Sequence, residues 1–448
     1  MERETFSSKL GVLAAAAGSA IGLGNIWKFP YITGKNGGAA FILVYIICIA
    51  LIGVVMMMSE FALGRKTKSN PIGAFKKLRP EGKWHYTGIL AVLTSFIILS
   101  FYLMIAGWIF SYFAKSLTGE LISIAPESLG SYFETITSNT FSVLFWNVII
   151  IAITSLIVIS GVQKGIEKYS KILMPILLIT LIILIFRSLT LKGAKEGLDF
   201  LLKPDFSKLT TKAVLEALGH AFYTLSLGMG IIITYGSYVK KDENLKSLSF
   251  QIIIADTVIA IMAGMVIFPA VFAYGFEPEA GPSLIFITLP AVFQSMPLGG
   301  IFETLFFLLV GVAAITSTIS LLEVLVSALG EEFNLDRKKT ILIVSIALFL
   351  LSIPSSLSFG SWSGIKVLGL SFFDLFDFIA SYIFLPIVGI LTCIFISHVW
   401  GTKNAFNEIV GEEVYSSRNY KTYNFLIKYI APIAILIILL YSTGIISF

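Results

Sequence analysis

Eleven long apolar runs, separated by short polar stretches, leave this chain one environment in which to fold. They lie at 10–32, 39–63, 87–114, 140–160, 169–187, 213–238, 247–274, 301–329, 338–356, 371–398 and 425–446. A membrane-spanning helix needs about 20 mostly apolar residues, and these runs meet that length. Of 448 residues, 56% are hydrophobic and only 13% are charged, where a soluble domain carries roughly 25% charged residues. A soluble enzyme, a secreted disulfide scaffold and a disordered chain are excluded. The runs predict an all-α polytopic membrane protein with eleven transmembrane helices.

The loops predict the orientation. The loop after segment 2 holds Arg65, Lys66, Lys68, Lys76, Lys77, Arg79 and Lys83. Further loops on that side hold Lys164 and Lys168, then Lys240, Lys241 and Lys246, then Arg337 to Lys339, then Lys403, Arg418 and Lys421. The opposite side is mostly acidic, with Glu120, Glu127, Glu134, Glu277 and Glu279. Cytoplasmic loops carry the excess of Lys and Arg, so the N-terminus is expected inside the cell and the C-terminus outside. The 188–212 connection runs against this, with Lys192, Lys195, Lys203, Lys208 and Lys212 on the expected outer side. Glu2 and Glu4 break the basic start of a signal peptide, and no small-residue cleavage site closes a short apolar region, so no cleavable signal is expected. The net charge of +5 belongs to these orienting loops and does not imply nucleic acid. Cys48 and Cys393 lie inside apolar segments, which suggests neither a loop disulfide nor a zinc site.

Two segments are interrupted. Segment 1 contains Gly18-Ser19-Ala20-Ile21-Gly22-Leu23-Gly24-Asn25, and segment 6 contains Ser226-Leu227-Gly228-Met229-Gly230. Glycines at this density weaken a helix and free backbone groups that lipid cannot satisfy. Such backbone is tolerated at membrane depth where it lines a site. Glycine-interrupted segments in corresponding positions point to a transporter built from two five-helix inverted repeats, with discontinuous helices 1 and 6. The competing explanation is a pair of glycine-packed helix interfaces.

Oxygen-bearing side chains gather near the interruptions. Asn25 follows the first glycine run, and Thr224 precedes the second. Asp256 sits in segment 7 with no basic residue in its apolar run. An intramembrane carboxylate is costly and marks a functional site by default, the alternative here being a protonated carboxyl packed between helices. Carboxylate, amide, hydroxyl and freed carbonyl are the ligands that a hard cation such as Na⁺ prefers. Thr316 and Ser317 of segment 8 add two hydroxyls, although such groups often bond their own helix. His220, Tyr223 and Thr224 share one helical face, and Tyr102 lies deep in segment 3. Glu60 and Glu303 lie near segment ends, where solvated positions are expected; Glu323 is deeper, with no role evident. No nucleophile elbow, zinc motif or phosphate loop is present, and the histidines (His85, His220, His398) are dispersed. The chain is not expected to be an enzyme.

Four stretches together carry a resemblance. They are Gly18-Ser19-Ala20-Ile21-Gly22-Leu23-Gly24-Asn25-Ile26-Trp27-Lys28-Phe29-Pro30, Asn36-Gly37-Gly38-Ala39-Ala40-Phe41, Glu60 to Arg65, and Phe222-Tyr223-Thr224-Leu225-Ser226-Leu227-Gly228-Met229-Gly230. In content, order and spacing they resemble the neurotransmitter:sodium symporter family, especially its bacterial amino-acid branch and eleven-helix members. The likeness runs from Arg3 to Phe406. It implies sodium-coupled uptake by alternating access in a single transporter domain spanning 1–448. The first repeat would span about 8–188, the second about 213–400, with an extra helix at about 425–446.

Position by position, the resemblance implies that Ser19, Ala20, Gly22, Leu23 and Gly24 meet the substrate's amino and carboxyl groups, with Tyr102 donating to the carboxylate. Ile98, Tyr223, Ser226, Met229, Ser317 and Leu321 would line its side-chain pocket. One sodium would use the Ala20 carbonyl, Asn25, Thr224, Asp256 and the substrate carboxylate. A second would use the Gly18, Ile21 and Ala313 carbonyls with the Thr316 and Ser317 hydroxyls. Lys28 and Asp377 match an outer gate pair with Tyr223 as lid, and Arg3 and Glu331 match an inner pair.

Several positions depart from the family pattern. Lys28 replaces an arginine and loses bidentate pairing with Asp377. His220 stands where glutamine is usual, Asp256 where asparagine is common, and Ala260 where some bacterial members carry an acid. Asp256 is expected to supply the fixed negative charge, so no chloride requirement is expected. Glycine at 22, where amine-transporting members carry aspartate, argues for a substrate that brings its own carboxylate. Met229 and the small Ser226 suggest a roomy pocket for a large apolar or aromatic amino acid. The expected function is sodium-coupled amino-acid import at the cell membrane. Proton coupling through Asp256 or His220 is the alternative mechanism. A non-transporting amino-acid sensor is the alternative class, disfavoured because the tail after segment 11 offers no output domain. No ring of charges or repeated filter suggests a channel. The oligomeric state is left open.

Overall fold

The computed structural model describes residues 3–275, 284–411 and 417–446. Glu2, Glu277 and Glu279 lie outside the described residues. Within them the protein is helical, and the β pairing is a single isolated bridge between Val367 and Leu370. Among the described residues, nine helices are long and apolar enough to cross a membrane, and a bent pair makes a tenth. In chain order they are α1 (Lys9–Ala20 and Gly24–Lys35), α2 (Ala39–Thr67), α3 (His85–Leu117), α4 (Thr140–Ile159) and α5 (Val162–Leu189). Then come α7 (Leu245–Ala273), α8 (Gly299–Glu332), α9 (Arg337–Leu357), α10 (Phe372–Val410) and α11 (Ser417–Ser442). Two short helices, Thr211–Thr224 and Ile231–Tyr238, occupy the place of the sixth apolar segment and are together called α6.

Both interruptions are real breaks. The halves of α1 meet at 49°, with Ile21 extended at φ −76° and ψ 92° between them. In α6, Ser226, Gly228 and Gly230 all adopt left-handed φ values of 56°, 74° and 77°. Three such residues within five positions cannot continue a right-handed helix. Backbone groups released in this way need partners inside the protein.

The centre of the molecule is α3 and α8. In α8, 83% of the most apolar window is buried, against 22% in α11. Water does not drive helices together in a bilayer, so close approach depends on small residues. A Cβ at Gly64 of α2 would stand 1.9 Å from the Ile233 carbonyl oxygen of α6, and one at Gly236 would stand 2.7 Å from the Phe61 carbonyl oxygen. The two helices therefore touch backbone to backbone.

Three acidic residues correct or complete the sequence reading. Glu60 is 1% exposed and Glu303 is 0% exposed, so neither is solvated. Here α2 runs on to Thr67, and Glu60 accepts a 2.8 Å bond from the Gly228 N–H freed by the α6 break. Glu303 lies a turn inside α8, whose start is pressed against the Leu284–Gln294 helical segment: a Cβ at Gly299 would stand 1.7 Å from the Phe293 carbonyl oxygen. Glu323 has a partner on each side, the Arg337 guanidinium and the Tyr238 hydroxyl at 2.6 Å. The lysines of the 188–212 connection are all exposed. Its helix Ala194–Leu202 lies on α7, with Phe200 5.1 Å from Phe268 and 5.4 Å from Phe272. Cys48 and Cys393 are free and buried.

Gly64→Ala is expected to cost about 1–3 kcal/mol, because the added carbon overpacks a backbone contact. Thermal unfolding of the purified protein in detergent measures this. Gly130→Ala, where nothing lies within 4 Å of the added carbon, is the neutral control, and equal midpoints for the two variants would contradict the packing.

Candidate functional site

The two breaks face each other and are stitched together by serines. The Ser226 hydroxyl donates to the Ser19 carbonyl at 3.1 Å, and Ser19 Oγ donates to Ser320 Oγ of α8 at 2.8 Å. The Leu23 N–H donates to the Tyr102 hydroxyl of α3 at 3.4 Å. The Ser95 hydroxyl donates to the Met229 carbonyl at 2.5 Å, holding the second break from the α3 side.

A cavity of about 40 Å³ lies between these groups. Its lining includes Ser19, Ala20, Gly22, Leu23 and Gly24 from α1, and Ile98 and Tyr102 from α3. The same wall takes Tyr223, Thr224, Ser226 and Met229 from α6, and Ser317 and Leu321 from α8. Every residue singled out in the sequence for a substrate pocket thus borders one space. Ile231 and Ser320 also line it and were missed. Gly22 is sterically important: a Cβ there would stand 2.4 Å from Ser317 Oγ and 3.5 Å from the Tyr102 hydroxyl. A larger side chain at 22 would enter the cavity.

Beside the cavity, oxygen atoms crowd around Asp256, which is 0% exposed. Asn25 Nδ2 donates to its carboxylate at 2.8 Å, Thr224 Oγ1 at 3.2 Å and the Tyr45 hydroxyl at 3.3 Å. Asn25 Oδ1 accepts from the Gly22 N–H at 3.0 Å and from Thr224 Oγ1 at 3.4 Å. Among the described residues no Lys, Arg or His forms an ion pair with Asp256. Tyr45 is an addition to the sequence reading. Its signal was a tyrosine deep in an apolar segment, the same one that drew attention to Tyr102.

The second oxygen group lies where α1 crosses α8. A Cβ at Gly18 would stand 3.5 Å from Thr316 Cβ, so backbone abuts side chain there. Ile21, at the break, has left helical geometry. Thr316 Oγ1 donates to the Ala313 carbonyl at 3.0 Å and Ser317 Oγ donates to it at 3.3 Å. These hydroxyls bond their own helix, as the alternative reading of the sequence had it. Each still keeps oxygen lone pairs free.

His220 packs against Phe29 and Tyr45, with ring centroids at 5.9 and 5.6 Å. Both its ring nitrogens are buried, without a hydrogen-bond partner among the described residues.

The two expected gate pairs differ. Arg3 is bonded to Glu331, donates to Ser237 Oγ at 2.7 Å and lies 4.7 Å over the Tyr238 ring. Lys28 and Asp377 form no ion pair among the described residues. Lys28 Nζ instead sits 4.6 Å over the Tyr223 ring, and Asp377 accepts from Ser381 at 2.6 Å. A lysine ammonium is a point charge that an aromatic face can satisfy, and it lacks the planar fork that would hold a carboxylate. Tyr223 lines both the inner cavity and an outer cavity of about 420 Å³, so it stands between them.

Comparison with known proteins agrees with this architecture. The model of the sodium:neurotransmitter symporter family matches residues 3–125 and 133–447. The uncharacterized sodium-dependent transporter YhdH of Bacillus subtilis (strain 168) is 40% identical, over 99% of this chain and 98% of that one. An uncharacterized sodium-dependent transporter of Haemophilus influenzae is 35% identical, over 98% and 97% of the two chains. The crystal structure of MhsT in complex with L-phenylalanine superposes with a TM-score of 0.91 at 47% identity, covering 98% of this chain and all of that one. The chain therefore belongs to the sodium:neurotransmitter symporter family, and is a multi-pass membrane transporter rather than an enzyme.

Proposed function

We propose that this protein imports a large apolar or aromatic amino acid across the cell membrane by sodium-coupled alternating access. The Asp256 cluster carries the proposal. A fully buried carboxylate ringed by an amide and two hydroxyls, with no cationic side chain paired to it among the described residues, needs a cation or a proton. The oxygens that Asp256, Asn25 and Thr224 bring together suit a hard cation such as Na⁺. As cargo, the first Na⁺ takes Asn25, Thr224, Asp256 and the Ala20 carbonyl, and the substrate carboxylate completes its shell. The second takes the carbonyls of Gly18, Ile21 and Ala313 with the oxygens of Thr316 and Ser317. Asp256 supplies the negative charge, so transport proceeds without chloride.

The substrate class rests on three observations. Gly22 brings no side-chain carboxylate, and a Cβ there would already stand 2.4 Å from Ser317 Oγ, so in this reading the carboxylate beside Tyr102 comes with the substrate. Met229, a flexible thioether, and Leu321 wall the apolar end. MhsT, with 47% of its residues identical, is described in complex with L-phenylalanine. A cavity of 40 Å³ holds about three water molecules at 10–15 Å³ each, so an aromatic substrate requires these walls to move apart. Joined Arg3 and Glu331, with Lys28 and Asp377 apart below an outer cavity, fit a state closed toward the cytoplasm. In this proposal the N-terminus is cytoplasmic and the C-terminus extracellular, and the inverted repeats run over about 8–188 and 213–400.

Uptake of labelled amino acids into proteoliposomes tests the proposal. Concentrative uptake of tryptophan, tyrosine, leucine or phenylalanine is expected only with an inward sodium gradient, and equally with chloride or gluconate. Uptake driven by a proton gradient alone, or binding without uptake in any gradient, would overturn it. Asn25→Ala and Thr224→Val are expected to weaken sodium dependence and substrate affinity together, because one shell contains both; titrations in which only one changes would separate the sites. Tyr102→Phe is expected to weaken substrate binding by about 1–3 kcal/mol through loss of a buried donor, and unchanged affinity by isothermal titration would remove Tyr102 from the site.

A further inference from the structure

An open groove of about 610 Å³ lies where the basic loop after α2 enters α3. Lys83 stands at its rim, and Leu90 and Leu93 of α3 with Leu391 of α10 form its apolar wall. Trp84 and Tyr86 also line it. Trp84 is fixed edge-on to Phe395 at 5.4 Å, and Phe395 in turn meets Phe75 at 4.8 Å. Tyr86 is 59% exposed and Leu93 is 44% exposed, so the groove is open along its length.

The rim is strongly cationic. Lys76, Lys77, Arg79 and Lys83 are all exposed and fall within eight residues, with Glu81 the one acid among them. None of the four forms an ion pair among the described residues. A tryptophan and a tyrosine mark the depth of lipid headgroups, and basic residues beside an apolar groove at that depth match an anionic head with its acyl chain. A neutral lipid leaves the cations unanswered, and a free phosphate leaves the apolar wall uncovered.

We propose that this groove is a binding site for an anionic phospholipid drawn from the bilayer. Its phosphate meets Lys83 and Arg79, and one acyl chain lies along Leu90, Leu93 and Leu391. Native mass spectrometry of the full chain in detergent, titrated with phosphatidylglycerol or with phosphatidylcholine of the same chains, tests it. Retention of phosphatidylglycerol is expected to exceed that of phosphatidylcholine, and to fall about fivefold for each cation removed in Lys83→Ala and Arg79→Ala. Leu93→Trp, which fills the groove and keeps the charges, is expected to reduce retention as well, while sodium-dependent thermal stabilisation stays at the wild-type level in all three variants. Equal retention of the two lipids, or no loss in Lys83→Ala, would overturn the site. Loss with the charge variants but not with Leu93→Trp would show a diffuse surface attraction and overturn the groove. Displacement of the lipid by inorganic phosphate would assign the cations to a free anion and overturn it too.

Discussion

Broken backbone at membrane depth is the constraint on which the rest of this protein depends. Lipid offers no hydrogen bonds, so each N–H and carbonyl released by the breaks in α1 and α6 must find a partner within the bundle. The Gly228 N–H is answered by Glu60, the Gly22 N–H by Asn25, the Leu23 N–H by Tyr102, and the Ser19 carbonyl by Ser226. Each answer comes from another segment or from across a break. The breaks thereby fix how α1, α2, α3 and α6 sit around one point.

The same groups carry the proposed chemistry. Asn25 is both the partner of a released N–H and a neighbour of the Asp256 carboxylate. Thr224 ends the first half of α6 and reaches both Asn25 and Asp256. An ion bound among them would touch the joint between the two halves of each broken helix. In the proposed function that contact links cation occupancy to the rearrangement that transport requires, with no separate signalling element.

Much of the site was legible in the sequence because polarity inside an apolar run is costly and therefore informative. Asn25, Thr224, Asp256 and Tyr102 stood out for that reason, and they converge on one cavity and its edge. Tyr45 carried the same signal and was passed over. Ser320 and Ile231 were not legible, since a serine on a membrane helix most often bonds its own backbone and an isoleucine is ordinary lipid-facing stock. Glu60 and Glu303 were misplaced into solvent because a carboxylate near a segment end is usually hydrated. The helices prove longer than their apolar runs, and neighbouring elements cover both residues.

What the sequence by itself determined is the solvent of this chain, its helical class and the two places where helices must break. Those follow from hydropathy and from glycine's backbone freedom, which are properties of residues read one after another. Only the tertiary structure decided that Glu60 caps the α6 break, that Tyr45 reaches Asp256, and that Lys28 rests on Tyr223. Each of these pairs residues distant in sequence, apart from the Glu60 cap mostly through side chains with several possible partners. The choice among those partners is made by which helices pack together, and that is set by close contacts such as Gly64 against Ile233.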